Sequence, residues 1–255
     1  MLNDLARQLA NSIEGEVRFG RHDRMLYSTD ASLYQVEPLG VVIPASTADA
    51  ERALRFCAKH RLPLLPRGGG TSLAGQTTNR AVVFDFSANC RTIEEVDLAN
   101  HRVRVDPGVV LDELNEELAA RNTNLFFGPD VATSRHANIG GMIGNNSAGA
   151  RSILYGRTAE HVLGLDTLII DDRAEAHRLR LDEGAAARDE RIRALSRRIA
   201  DVIVPNARLI RDRFPRIVRH VDGYNLDLIL DQIESSPHDP LANMNLAKLI
   251  CGSEG

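Results

Sequence analysis

Pro66-Arg-Gly-Gly-Gly-Thr-Ser-Leu-Ala-Gly-Gln76 follows the apolar run Leu62, Pro63, Leu64 and Leu65, and so reads as a loop almost bare of side chains at the end of a strand. Such a loop suits an anion. Gly68, Gly69 and Gly70 can take positive φ without a Cβ penalty, and successive N–H groups can then point at one phosphate. Arg67 adds charge, and Thr71 and Ser72 add hydroxyl donors. Spacing excludes two familiar phosphate loops. The dinucleotide fingerprint Gly-x-Gly-x-x-Gly fails because Leu73 takes its sixth place, and the P-loop fails because Gln76 stands where the phosphate-contacting lysine belongs. On this segment alone, a ligand-free glycine-rich turn stays open.

A second segment shifts the balance. From Ala137 to Ala150 every residue except Ile139, Met142 and Ile143 is Gly, Ala, Asn or Ser. Small side chains let main chain lie close against something flat. A disordered linker of similar composition lacks embedded apolar residues and usually brings Pro, Lys or Glu. Gly128-Pro129-Asp130 precedes the segment, and Tyr155-Gly156 and the apolar run Val162 to Ile170 follow it, so it reads as the wall of a groove.

Pro66-Arg-Gly-Gly-Gly-Thr-Ser-Leu-Ala-Gly75 and Asn138-Ile-Gly-Gly-Met-Ile-Gly-Asn-Asn-Ser-Ala-Gly149, with Tyr155-Gly156 behind, resemble the flavin-binding domain of the vanillyl-alcohol oxidase and p-cresol methylhydroxylase (PCMH) type. Within that superfamily the chain is most similar to the FAD-linked D-2-hydroxyacid dehydrogenases, the D-lactate, glycolate and D-2-hydroxyglutarate group. Val42-Ile-Pro44, Val105-Asp-Pro-Gly-Val109 and Gly252-Ser-Glu-Gly255 fall at matching places, so the likeness runs from about Val41 to Gly255. It implies an α+β, two-lobed PCMH-type FAD-binding domain. Residues 1–36 would be an N-terminal helix and arm, 37–100 a small strand-helix-strand lobe, and 101–255 a larger mixed α/β lobe with a helical charged insertion near 171–240. It also implies a chain truncated at its C-terminus, since relatives continue past Gly-Ser-Glu-Gly into a substrate domain.

The same resemblance assigns site residues. The FAD diphosphate would rest on the main chain of Gly68 to Ser72, beside Arg67. The wall of Asn138, Ile139, Gly140, Gly141, Asn145, Ser147, Ala148 and Gly149 would flank the ribityl chain and ring, with Asn146 as a further hydrogen-bonding candidate. Gly75, Gln76, Pro129, Asp130, Thr133 and Tyr155 would be outer contacts. Relatives that tether FAD covalently commonly use a histidine in or near these loops. Gly68 to Gln76 holds none, so the flavin is expected to be unlinked. Flavin N5 would take a hydride from C2 of an R-configured 2-hydroxyacid, forming the 2-oxoacid. In the family, the base and the carboxylate clamp come from sequence absent here, so no catalytic residue is named and this chain alone is expected to be inactive. A downstream iron–sulfur domain or an electron-transfer partner would take the electrons onward. A non-catalytic nucleotide-binding module and a flavin-dependent sugar-nucleotide reductase are the competing readings. A valine at Gly69 is expected to abolish flavin retention with little loss of fold.

Composition agrees with a globular domain. The chain has 255 residues, 43% hydrophobic and 26% charged, enough to bury a core. A net charge of -4 offers no general attraction to nucleic acid or acidic membranes. The N-terminus does not read as a signal peptide and no segment reads as transmembrane. Cys57, Cys90 and Cys251 are odd in number and widely spaced, which points to reduced thiols in a cytoplasmic protein, with any membrane association peripheral and through the full-length enzyme. The eight histidines never form His-Glu-x-x-His, so no metal is expected, and Asn145 two residues before Ser147 spoils a serine-hydrolase elbow.

Periodicity places the elements. Leu2, Leu5, Leu9 and Ile13 mark a first helix, ended by Gly15. Strands are expected at 41–43, 62–65, 81–86, 102–105 and 162–170, with a helix capped by Thr47 after the first and a parallel pair implied by the short crossovers. Leu111, Leu114 and Leu118 mark another helix, as do Ile192, Leu195, Ile199, Val202 and Ile203, whose neighbouring Arg and Asp/Glu residues interleave for local ion pairing.

Overall fold

The computed structural model describes residues 2–121, 123–217, 219–221, 223–236 and 238–254. Gly255, the last residue of the Gly-Ser-Glu-Gly match, lies outside them. The chain forms two compact units, both discontinuous in sequence. The first comprises Met1–Phe127, Ala132–Gly141 and Ile170–His177, and the second Gly128–Val131, Met142–Ile169 and Arg178–Gly255.

The first unit carries α1 (Leu2–Ala10), β1 (Glu16–Arg18), α2 (Arg21–Leu26), β2 (Gly40–Ile43), α3 (Thr47–Lys59), β3 (Leu64–Arg67), β4 (Val82–Asp85) and α4 (Leu111–Ala120). Its sheet has the order β1-β2-β4-β3. β4 runs parallel to both β2 and β3, with Val41 opposite Val83 and Pro66 opposite Phe84, while β1 is antiparallel on the edge. Every residue of β2 and β4 is buried, as expected where apolar residues run without alternation and both faces are covered. Val42, Val82 and Phe84 pack with Leu9 of α1 and with Ala53 and Cys57 of α3, and Val41, Ile43 and Val83 cluster with Tyr27 and Leu65.

Asp49 locks α3 to the chain before it. Its buried carboxylate accepts the N–H groups of Glu14, Gly15 and Ala45 at 2.8–2.9 Å and pairs with Arg52 at 2.8 Å. Burial alone would raise its pKa, but these donors hold it below the usual carboxylate value. Gly15 does not end α1, which stops at Ala10. It is glycine because a Cβ there would sit 2.3 Å from the Ile43 carbonyl.

Three expectations need correction. The cap of α3 is Ser46, whose extended backbone lets its hydroxyl accept from Asp49 N–H at 3.2 Å, whereas Thr47 is already helical. Residues 102–105 make only the isolated bridges Asp97–Arg102 and Ile93–Val105, whose registers differ by one residue, so no continuous ladder forms. Residues 1–36, expected to hold one helix and an arm, contain a second helix, α2.

α5 (Ile139–Asn145) begins in the first unit and ends in the second. Then come α6 (Ser152–Tyr155), α7 (Thr158–His161), β5 (Gly164–Ile170), β6 (Ala176–Asp182), α8 (Ala185–Arg188), α9 (Glu190–Ile203), α10 (Ala207–Arg213), α11 (Leu226–Glu234) and α12 (Leu246–Ile250). β5 and β6 form a two-stranded sheet. The second core gathers Val162, Leu181, Ile192, Ile203, Ile229 and Met244. Ile192 and Ile203 face it as expected, but Val202 is 66% exposed, since its place on the helical wheel falls outside the buried stripe. Arg180, Arg188, Arg191 and Arg193 pair with Asp182, Asp189 and Asp239, the local ion pairing that interleaved charges imply. No helix among the described residues is long and apolar enough to cross a membrane.

Candidate cofactor site

In the first unit the glycine loop leaves the C-terminal end of β3 and lies directly on residues 136–138. A Cβ on Gly69 would fall 2.1 Å from the His136 carbonyl oxygen, and one on Gly68 would fall 2.7 Å from Asn138 Oδ1. Only Gly70 and Gly75 of the loop take positive φ, at 64° and 82°. Gly69 is therefore needed for close approach of two main chains and Gly68 for room beside the Asn138 side chain, not for their dihedrals. This corrects the expectation for valine at Gly69: the clash is with the protein's own backbone, so the fold is disturbed as well as the ligand space.

The loop is propped from behind. Arg67 donates to the carbonyls of Tyr27 (3.4 Å) and Thr77 (3.2 Å) and stacks over the Tyr27 ring, whose hydroxyl donates to Asp85 at 2.6 Å. Burial and the bond to Asp85 push the Tyr27 hydroxyl pKa well up, so it stays a neutral donor. Asp30 accepts from the Thr77 hydroxyl at 3.0 Å, Ala31 N–H donates to the Gly70 carbonyl, and Tyr34 covers Gly75. Gln76 turns inward to accept from Ala74 N–H at 3.1 Å. Thr71 and Ser72 are half-buried on the loop. Tyr27, Asp30 and Asp85 escaped sequence reasoning because they reach the loop across tens of residues, and no local motif marks such partners.

Val105-Asp-Pro-Gly-Val109 seats the start of the second segment. Ile139 and Gly140 donate to the carbonyls of Val109 (2.8 Å) and Pro107 (2.9 Å), and Leu111 donates to the Ala137 carbonyl. Asn138 is 2% exposed, and its Nδ2 donates to the Gly108 carbonyl at 2.5 Å. That partner only accepts, so the other amide atom is an oxygen, and it is buried without a partner. Ile139 is buried, Thr133 is exposed, and Gly140 has no room for a Cβ beside Pro107. Gly141 differs: it is exposed, and a Cβ there would meet nothing within 4 Å.

In the second unit the rest of the small-residue segment packs on itself. Asn146, at φ 53° and fully buried, accepts from Ala159 N–H at 2.9 Å and donates to Asn225 Oδ1, while Asn225 donates to the Lys248 and Cys251 carbonyls. It is a structural residue, correcting its reading as a ligand contact. Ser147 donates to Asn145 Oδ1 at 2.9 Å, and its carbonyl takes the Thr158 N–H and hydroxyl. Ala148 is half-buried. Gly149 fits only because a Cβ would overlap the Asp130 carbonyl, 1.2 Å away. Pro129 is buried, Asp130 accepts from Arg151 N–H at 2.9 Å, and the Arg151 guanidinium lies over Tyr155.

The three cysteines are free and buried, and burial pushes Cys57 and Cys251 up to about 12 and Cys90 up to about 11, so none is a thiolate near neutrality.

Comparison with known proteins agrees with this geometry. The D-2-hydroxyglutarate dehydrogenase of Escherichia coli (strain K12) is 33% identical over 261 residues, covering 100% of this chain and 25% of that protein. The glycolate oxidase subunit GlcD of Bacillus subtilis (strain 168) is 38% identical over 150 residues, 57% of this chain and 31% of the relative. The chain thus spans about a quarter of the length of the first of these and under a third of the second. Among solved structures, alkyldihydroxyacetonephosphate synthase superposes with a TM-score of 0.59 at 19% identity, over 69% of this chain and 35% of that one. The wild-type BBE-like 1 protein of Physcomitrella patens gives 0.57 at 19%, over 71% and 38%. These two establish shared fold alone. Residues 38–176, more than half the chain, match the family described as the FAD binding domain, and with the glycine loop, its seat on residues 136–138 and the open main chain at Gly141, they show that this chain belongs to that FAD-binding family.

Proposed function

We infer that this chain is the flavin-binding portion of an enzyme that oxidises a D-2-hydroxyacid, of the D-2-hydroxyglutarate or D-lactate kind, with FAD held non-covalently. The observation that carries the reading is the convergence, inside the first unit, of Gly68 and Gly69 on residues 136–138, next in sequence to the open backbone at Gly141. A cradle that a Cβ would fill suits a phosphate chain, and the props behind it, the Arg67 guanidinium and the neutral, half-buried Tyr27, hold the loop in place for its N–H groups to meet one. Bound FAD supplies the hydride acceptor. The chain's own residues bind and orient it: the loop from Arg67 to Gln76 at the diphosphate, and Asn138, Ile139, Gly140, Gly141, Asn145, Ser147, Ala148 and Gly149, with Pro129, Asp130, Thr133 and Tyr155, along the remainder. The names of the whole-length relatives support the substrate class, and an acceptor such as an iron–sulfur domain fits the same chemistry. The buried, unpaired cysteines fit a reducing, cytoplasmic setting.

The test is Gly141→Val. Its side chain enters open space, so the thermal midpoint should stay within a few degrees of wild type while the visible flavin absorbance of the purified protein is lost. Wild-type protein that purifies colourless and cannot be loaded with FAD, or a Gly141→Val variant as yellow as wild type, overturns the assignment.

A further inference from the structure

The turn at 171–175 and the C-terminal end of α3 both belong to the first unit, and together they line a cleft of about 610 Å³. Arg55, Lys59 and Arg61 come from one wall, and Arg173, Glu175 and His177 from the other. Arg55 donates to the Ala176 carbonyl, tying the walls together, and its remaining donors go to Glu51. Four cations thus line the cleft beside Glu175, with Glu51 held by Arg55 and Asp171 within 4.8 Å of Glu175 and His177.

Lys59, Arg61 and Arg173 line this cleft with no ion-pair partner among the described residues, whereas Arg18, Arg52, Arg102, Arg180 and Arg193 each sit against a carboxylate. Cations that outnumber their counter-charges repel, and a bound anion relieves that. A cation is favoured at a helix C-terminus, which accounts for Lys59 on α3, yet Arg173 arrives from a separate segment and has no such reason to be there. Asp171, Glu175 and His177 bring ligand atoms within 4.8 Å of one another, but Asp171 already accepts from the Arg173 and Glu175 N–H groups and meets His177 at 3.0 Å. With Arg173 beside them, those groups do not favour a metal ion.

The geometry points to a binding site for a small multivalent oxyanion, a phosphate ester or a polycarboxylate, gripped by Lys59, Arg61 and Arg173, with Arg55 as the fixed strut. The site is independent of the flavin reading. Arg61 precedes β3 and Gly68 follows it, so cleft and glycine loop lie at opposite ends of that strand.

Isothermal titration of inorganic pyrophosphate, and separately of citrate, into FAD-saturated protein at physiological salt of about 0.15 M tests the proposal. Saturable binding of one equivalent is expected for at least one probe. It should weaken about tenfold for each cation removed in Lys59→Ala and Arg173→Ala. Tighter pyrophosphate identifies a phosphate ester as the natural class, and tighter citrate a polycarboxylate. Absence of saturable binding for both probes, or binding that survives intact in the Lys59→Ala/Arg173→Ala double variant, overturns it. Both side chains are at the surface, so circular dichroism of each variant should match wild type.

Discussion

The two glycine-rich segments look alike in sequence and use their missing side chains for different ends. In the loop from Gly68 to Gly75, glycine lets the chain press on residues 136–138, with Gly69 itself exposed. From Asn145 to Gly149 the small residues turn inward, where Asn146 is fully buried and Gly149 touches the Asp130 carbonyl. Gly141, eight positions before Gly149, is the place where the second segment is open. Low side-chain volume thus marks close approach in general, and only the partner of that approach distinguishes a ligand surface from a fold constraint.

The sharpest way to break this contrast is Gly149→Ala. The new methyl would overlap a carbonyl, so a loss of about 4 kcal/mol is expected, read as a collapse of the urea midpoint or failure to express in soluble form. A normal midpoint would mean the second segment is not packed on itself. Asp49→Ala strands three buried N–H donors in the first unit and should cost about 3 kcal/mol. Its pH dependence has a definite sign. The folded pKa lies below the ordinary 3.8, so the stabilising contribution is complete above that value and fades as pH falls through it toward the folded pKa. The gap in urea midpoint between wild type and Asp49→Asn should therefore narrow in acid, and a gap that widens there contradicts the assignment. Asn146→Ala removes two buried hydrogen bonds and puts alanine at positive φ, for about 2 kcal/mol, with the loss confined to protection of the second unit in hydrogen exchange. Arg193→Ala breaks only a half-exposed pair with Asp239 and should change stability by under about 1 kcal/mol, leaving flavin content as in wild type.

Much of this was legible in the chain itself. The strands around Val41–Ile43 and Val82–Asp85 announced themselves as continuous apolar runs, and the two glycine-rich stretches identified the family before any coordinates. What stayed hidden was long-range. Tyr27, Asp30 and Asp85 support the loop from positions with no motif of their own, and Asn146 looks like a ligand contact until Asn225 is seen beside it. Residues 102–105 alternate as a strand should, yet alternation does not fix one register against residues 93–97, and only isolated bridges form.

The first unit is completed by Ala132–Gly141 and Ile170–His177, both encoded after the chain has already entered the second. During synthesis the sheet of β1 to β4 can assemble early, but the seat for its glycine loop does not exist until residue 138 has emerged, and the last piece waits for residue 177. A nascent chain halted at Phe127 would therefore lack the seat for that loop, and the first unit cannot be completed before part of the second has been synthesised.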